Sequence, residues 1–418
     1  MGLKKIMAIF SILLFAFASL PTITTEGKEK LNETSITIHI SGGLGIHATI
    51  TNSGESLSNL EWEMGIDGSI ILGDYRQGEI TSLSPGESVE ITSFVWGGGP
   101  ARIVVRADGV SRTASCILLG PFVFGCRMDP EREASIPENA TKVMPDDDVF
   151  PPVLHSSQWE EPVPLDIINT AGAEDSPFIS SDGSMFFFFF TPDVNVPPEK
   201  QLLDGVTGIW WCRWDGEWSE PERIFLNMDV ALDGAPFLLN NTLWFTSVRS
   251  GNYGEVDLYT AEYIRGMWRN VENAGELLNK IYDVGEMHIT ADGKTMYCGK
   301  DGNKSRDLFT LQRYNGGWTE PSLIPYPIST DEYNEDLPFI TQDGNELWFT
   351  GQSRLGYPGP AVFRCIKENG EWGEPEEIIS SFAGEPCLDN EGNIYFVHHY
   401  FSSDMKMIEA DIYVAYRR

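Results

Sequence analysis

EWSEPERI, Glu217 to Ile224, recurs along the chain in altered copies. QWEEPVPL stands at 158–165, GWTEPSLI at 317–324 and EWGEPEEI at 371–378, with a looser copy, MWRNVENA, at 267–274. The tryptophans of these copies, Trp159, Trp218, Trp268, Trp318 and Trp372, are spaced by 59, 50, 50 and 54 residues. A fixed period of this length marks a repeat architecture. The same order of segments lies between the tryptophans. An acid-then-proline segment comes first: EDSPFISSDG (174–183), LDGAPFLLNN (232–241), VGEMHITADG (284–293), EDLPFITQDG (335–344) and GEPCLDNEG (384–392). An aromatic strand follows, such as MFFFFF (185–190) or ELWFT (346–350), and then a third strand, such as DLYTAEY (257–263) or DIYVAY (411–416). A turn such as YNGGW then leads into the W-x-E-P strand. Four strands per unit of this length describe a propeller blade, whose apolar faces are buried only against neighbouring blades. The tryptophan of the outer strand is expected to pack on the next blade.

Five such units occur. The fifth ends at DIYVAYRR without its own W-strand, while the W-strand at 158–165 precedes the first unit and has no blade of its own. The simplest arrangement is that 158–165 completes the last blade and leaves no open edge. The expectation is an all-β chain whose residues 156–418 form a five-bladed β-propeller with N-/C-terminal strand closure. SPFISSDGSMFFFFF (176–190), LWFTSVRSGNYGEVDLYTAEY (243–263) and LPFITQDGNELWFTGQSR (337–354) resemble the TolB-like, PD-type repeats of secreted and periplasmic propellers. Those repeats carry a D-x-x-P-x-[IF]-S-x-D-G…[YW]-F-[ST]-S-x-R…D-[LI]-Y pattern. That family includes scaffolds, ligand-binding modules and peptidase-attached propellers, so the resemblance implies a fold and not an activity.

Residues 33–125 alternate polar and apolar positions in short runs: ITIHI (36–40), IHATITNS (46–53), LEWEMGID (60–67), VEITSFVW (89–96), ARIVVRAD (101–108) and SCILLGPFVFG (115–125). Turn signals such as NSGES (52–56) and SPGES (84–88) separate them, which predicts an Ig-like β-sandwich. NSGESLSNLEWEMGID…GEITSLSPGESVEIT is similar to extracellular Ig-like modules of the CARDB type, which implies a spacer or adhesion role. Residues 127–155 are rich in proline and acid without apolar period, and read as an extended linker. At the N-terminus, Lys4 and Lys5 precede an apolar run from Ile6 to Leu20 closed by Pro21. This predicts an export signal over 1–26, or a retained N-terminal anchor, and an extracellular or cell-surface location.

The net charge of −33 excludes nucleic acid as a partner and opposes direct binding to an anionic membrane surface. Cys116 and Cys126 can close a small loop. Cys212, Cys298, Cys365 and Cys387 lie in apolar strand patterns and read as buried thiols. Sequons occur at Asn32, Asn139, Asn240 and Asn303.

In an antiparallel blade the loop entering the inner strand and the loop between strands two and three share a face, with the DG turns on the other. Acids gather on the first face: Glu174, Asp175, Asp233, Glu286, Glu335, Asp336 and Glu385. Arg249, Lys300, Arg306, Arg354, His398 and His399 join them, with Tyr253, Tyr357, Tyr400 and Phe401. A ring of interblade ion pairs is the architectural reading. A channel mouth that binds a polar ligand, glycan or protein, is the functional one. Calcium held by several carboxylates is a further option, and no other cofactor is implied. His288 breaks the repeat, since its counterparts Phe178, Phe237, Phe339 and Cys387 are apolar. A core role is its ordinary reading, and its place beside Glu286 makes it a candidate. The candidate ligand-binding set is Asp175, Asp233, Glu286, His288, Asp336, Glu385, Arg249 and Arg354.

No GxSxG, HExxH or P-loop motif occurs. The expected function is therefore an exported, non-enzymatic binding or scaffold module. The alternative is a glycoside hydrolase or lyase using two mouth carboxylates. A third possibility is a structural surface protein in which the insertion TPDVNVPPEKQLLDGVT (191–207) docks a partner or lids the channel.

Overall fold

The computed structural model describes residues 36–226, 231–302 and 304–418. The apolar run at 6–20, Asn32 and Asn303 lie outside the described residues.

The first eight strands are β1 (Ile36–Gly43), β2 (Gly45–Asn52), β3 (Leu57–Leu72), β4 (Tyr75–Leu83), β5 (Ser88–Ser93), β6 (Trp96–Ala107), β7 (Val110–Gly120) and β8 (Phe122–Met128). They form two sheets, ordered β1-β2-β5 and β4-β3-β6-β7-β8. Alternate residues of both sheets share one core, with Ile38, Ile46 and Ile50 facing Trp62, Met64, Ile103 and Val105. β4 is absent from the sequence reading because YRQGEITSL buries only Ile80 and Leu83. The run 115–125 divides between β7 and β8, whose hairpin turns at Gly120 with φ of 60°. Cys116 and Cys126 are disulfide-bonded.

The rest of the chain is a β-propeller of antiparallel sheets around a common axis. The second repeat gives the plainest sheet: Leu232–Leu239, Thr242–Val248, Asp257–Ile264 and Met267–Asn273, in that order from the axis outward. The outer strand shows what the W-x-E-P motif does. Where proline is present the strand breaks in two. Gly317–Trp318 and Ser322–Leu323 pair separately with the third strand, as do Glu371–Trp372 and Glu376–Ser380. Proline has no N–H for the ladder. MWRNVENA lacks the proline, and its strand Met267–Asn273 is continuous. The tryptophans behave unequally. Trp159 packs edge-on against Trp348 at 5.6 Å, and Trp268 against Trp211 at 5.6 Å, each in a neighbouring repeat. Trp218 instead meets Phe186 and Trp214 of its own repeat.

The last strand, Met407–Ala415, pairs with Val163–Pro164, and Trp159 bridges to Arg417. The short strand Val153–Leu154 also adds to the edge of the fourth repeat's sheet, beside Glu376–Ser380.

Residues 129–152 are not a free tether, although they contain only two single-turn 3-10 helices. Arg132 is buried against Ile168 O and over the Phe190 ring, and it sits 3.6 Å from Glu174. Lys142 donates to Glu409 and Asp411, and Asp148 meets His398 Nε2 at 2.8 Å. These polar anchors replace the apolar stripe that a sequence search looks for. The sandwich is docked as well. EWSEPERI itself supplies the contact, with Glu222 accepting from Arg106 and Glu220 from Arg112.

Candidate functional site

Each repeat sends one three-residue segment to the axis. Ser176–Phe178, Ala235–Phe237, Glu286–His288, Leu337–Phe339 and Glu385–Cys387 together line a single axial pocket of about 70 Å³. Four of these segments have proline in the middle, and the residue before it is left-handed: Ser176 (φ 50°), Ala235 (48°), Leu337 (54°) and Glu385 (54°). The strand register shifts at each of them. A left-handed residue costs about 1–3 kcal/mol, and such bulges turn side chains out of the ladder. Here they turn the residue before proline toward the axis. In the third repeat Met287 stands in place of proline, and Glu286 occupies the corresponding position.

This geometry separates the candidate acids. Glu286 and Glu385 occupy the position before the proline site and line the pocket. Asp175 and Asp336 lie one residue earlier and Asp233 two residues earlier, and none of these three lines it. Asp233 accepts from Arg249, Asp336 from Arg306 and Glu335 from Arg354 at 2.9 Å. Asp233–Arg249 and Glu335–Arg354 stay within one repeat, so among the described residues the expected ring of interblade ion pairs reduces, for these acids, to the looser His399–Asp175 approach and the Arg306–Asp336 pair. The latter needs a close approach: a β-carbon at Gly299 would fall 1.5 Å from Asp336 Oδ1. Arg354 is further fixed by its backbone N–H, which donates to Glu377. Asp175 has His399 Nε2 at 3.8 Å. Asp175, Glu286, Asp336 and Glu385 are thus brought together electrostatically, while Asp233, Arg249 and Arg354 belong to pairs within their own repeats.

No cation lies within ion-pair distance of Glu286 or Glu385 among the described residues. Burial, then the fields of Asp336 and Asp175, holds Glu286 well above the ordinary carboxylate range. Burial, then Asp175 and Glu286, does the same for Glu385. Acids this close cannot all ionise, and the site retains protons. Burial also pushes Glu174 up to about 7, although Arg132 opposes the rise.

Below the acids, His288 sits among rings of three other repeats, with centroids 4.4 Å from Phe237, 4.5 Å from Phe339 and 6.2 Å from Phe178. Its Nδ1 accepts a long hydrogen bond of 3.4 Å from Ile340 N. Burial drives its pKa down to about 3, so the ring is neutral. This belt divides the channel. Beyond it a cavity of about 670 Å³ opens on the DG-turn face, lined among others by Trp159, Asn240, Asp343 and Arg417. The sequence reading passed over this end because its aspartates look like turn formers, and they are: Asp182 and Asp343 each accept from the Ser or Thr two residues earlier. Among the described residues no group of three or more His, Cys, Asp or Glu is set to hold a metal ion.

The two kinds of axial group predict opposite pH trends. The folded state refuses a proton at His288 between pH 6.5 and about 3, where the unfolded chain accepts it. Stability is therefore lost as pH falls through that window. Glu286 and Glu385 keep protons in the folded state above the ordinary value of 4.5, so their contribution is lost as pH rises through their raised values. In urea titrations, His288→Phe should gain on the wild type as pH falls from 6.5 to 4, and Glu286→Gln should gain as pH rises from 5 to 9. Parallel curves for wild type and variants would show that water reaches these groups.

No family model matches the chain, and no curated protein matches it. Solved structures similar to it include a putative TolB from Agrobacterium tumefaciens, 13% identical, with 60% of this chain and 93% of that one covered and a TM-score of 0.36. A thermostable family-43 glycoside hydrolase is 14% identical over 58% and 89% of the two chains, with a TM-score of 0.38. The catalytic domain of the Coprinopsis cinerea GH62 alpha-L-arabinofuranosidase is 10% identical over 59% and 90%, with a TM-score of 0.41.

Proposed function

We propose that this chain is an exported, five-bladed, TolB-like propeller carried on an Ig-like sandwich, acting as a non-enzymatic binding module for a hydroxyl-rich ligand such as a glycan. One observation carries the reading. Asp233, Glu335 and Asp336 are paired with arginines, whereas Glu286 and Glu385 meet at the axis without a cation. An acid that only holds blades together is paired. An acid left at a pocket without a cation, and held protonated there, both donates and accepts hydrogen bonds. Hydroxyl groups satisfy such a pair without bringing charge. The rings of Phe178, Phe237 and Phe339 offer an apolar face beside it. A volume of about 70 Å³ admits one substituent and not a whole sugar ring, so the ligand rests on the face and sends one group into the axis.

A second reading, a glycoside hydrolase, draws on the contact between Glu385 and Asp175. A carboxyl held above its ordinary range beside a second carboxyl is the arrangement that acid catalysis at a sugar bond uses.

The test is a polysaccharide panel scored for retention and for released product, using the wild type, Glu286→Gln and Glu385→Gln. Retention without products, weakened about tenfold or more in the two variants, is the expected result; a lost hydrogen bond to a charged or strongly polar group is of that size. Product release abolished by Glu385→Gln would replace the binding reading with the hydrolase. Retention indifferent to both substitutions would remove the axis as the site.

A further inference from the structure

The sandwich ends in an apolar tip that nothing in the described chain covers. Four chain reversals meet there. Leu44, in the β1–β2 turn, bridges to Phe122 in the β7–β8 turn, and Gly45 N donates to Pro121 O at 2.8 Å. Leu72, at the end of β3, pairs with Trp96 at the start of β6. Phe122 and Phe124 stack at 6.1 Å. Leu44 is 67% exposed, Ile71 72% and Leu119 69%. Leu72, Trp96, Phe122 and Phe124 are exposed too. No charged residue occurs in 41–45, 68–73, 93–100 or 115–126, although the chain as a whole carries −33. The propeller docks at Arg106 and Arg112, toward the opposite ends of β6 and β7, and reaches back along β3 as far as Asp74, which Arg265 meets at 3.1 Å, while the apolar side chains beyond Asp74 stay exposed.

We propose that this tip inserts shallowly into the zwitterionic surface of a lipid bilayer. An apolar patch of this extent marks an interaction surface. Three features favour lipid over a protein partner. The patch is carried on turns that protrude from one end of a sandwich. Its own stretches contain neither arginine nor tyrosine, two of the residues in which protein interfaces are enriched. Its indole and phenyl groups suit the boundary between headgroup and acyl chain. The N-terminal sequence fits the same placement. The apolar run Ile6–Leu20 is separated from Ile36 by the fifteen residues 21–35. Fully extended, such a segment reaches about 50 Å. β1 is only about 26 Å long, so a membrane-seated run would still let the tip reach the surface. The strong negative charge of the body opposes anionic lipid, so the attraction is hydrophobic. Among the described residues no helix is long and apolar enough to cross a membrane.

The test places an environment-sensitive fluorophore on Ile71→Cys in the full chain. The four native thiols are buried and do not compete. With phosphatidylcholine vesicles the emission should shift to the blue and be quenched by lipids brominated near the headgroup. A label on Glu55→Cys, at the other end of the sandwich, should not respond. Adding Phe122→Asp and Phe124→Asp should weaken the vesicle response at position 71 about tenfold or more. Because the probe reads the tip itself, binding through the N-terminal run alone leaves it in water and overturns the proposal. A blue shift without vesicles also overturns it. One that grows with protein concentration would assign the tip to a second copy, and a constant one would assign it to cover by the chain itself.

Discussion

Arg106→Ala should separate the sandwich from the propeller. The Arg106 side chain is 4% exposed and donates to Glu222, to Glu63 at 3.1 Å and to Gly266 O at 2.7 Å. Burial works against its charge, but Glu222 and Glu63 hold the guanidinium protonated above its ordinary range. Burial also raises the cost of ionising Glu63, yet Arg106 and Arg213 keep it below the usual carboxylate value. Removing the guanidinium leaves Glu222 buried without its partner, and breaking such a pair costs about 3–5 kcal/mol. The sandwich and the propeller have separate cores, so that loss falls on the docking and not on either fold. Calorimetry should resolve two transitions where the wild type has one. Replacing both partners, Arg106→Met with Glu222→Leu, should recover most of the loss, because no buried charge is then left alone. A single transition at the wild-type midpoint in Arg106→Ala would mean that Met267 packing on Gly65 and the Arg269 contacts to Ile66 O hold the two parts together.

Parts of this architecture are legible in the sequence because they are periodic. The inner, aromatic and third strands of each repeat show themselves by recurrence, and the partner of 158–165 shows itself by an offset, since one W-strand precedes the first unit and the last unit ends without one. Contacts made once are not periodic and stay hidden. Glu220 and Glu222 look like decoration of a repeat motif until Arg112 and Arg106 are placed opposite them. Lys142 and Asp148 look like linker acids and bases until Asp411 and His398 meet them.

The site was legible in part for a related reason. Reading all the mouth acids as one class hid the distinction that matters, which is their distance from the proline. Glu385 stands immediately before Pro386, and Glu286 immediately before Met287. Asp175 and Asp336 are two residues before Pro177 and Pro338, and Asp233 is three before Pro236. The left-handed residue before proline faces the axis, so this spacing divides the acids into those that line the pocket and those that do not. His288 was visible as an exception to an apolar column. Its neutral state was not, since that follows from rings contributed by three other repeats.

The same logic sets the largest effect expected within the propeller, at Trp159. Its side chain is 1% exposed, its Nε1 donates to Gly392 O at 2.8 Å, and Trp348 meets it edge-on. The guanidinium groups of Arg417 and Arg364 lie over the ring at 4.4 and 5.2 Å. Around it the chain ends are stitched by Glu160 N to Tyr416 O at 2.8 Å, Leu165 N to Ile412 O at 2.9 Å and Arg418 N to Gln158 O at 3.0 Å. Trp159→Ala removes the packing and the hydrogen bond together, at about 3–5 kcal/mol. The contact joins opposite ends of the propeller sequence, so loop-closure entropy places it late in folding. The loss should therefore appear chiefly as faster unfolding, with the folding rate little changed. Trp218→Ala is the control: a half-buried tryptophan of the same motif that packs within its own repeat, expected to cost less and to leave the chain ends joined. Equal losses and equal unfolding rates in the two variants would show that closure rests on the backbone ladder alone.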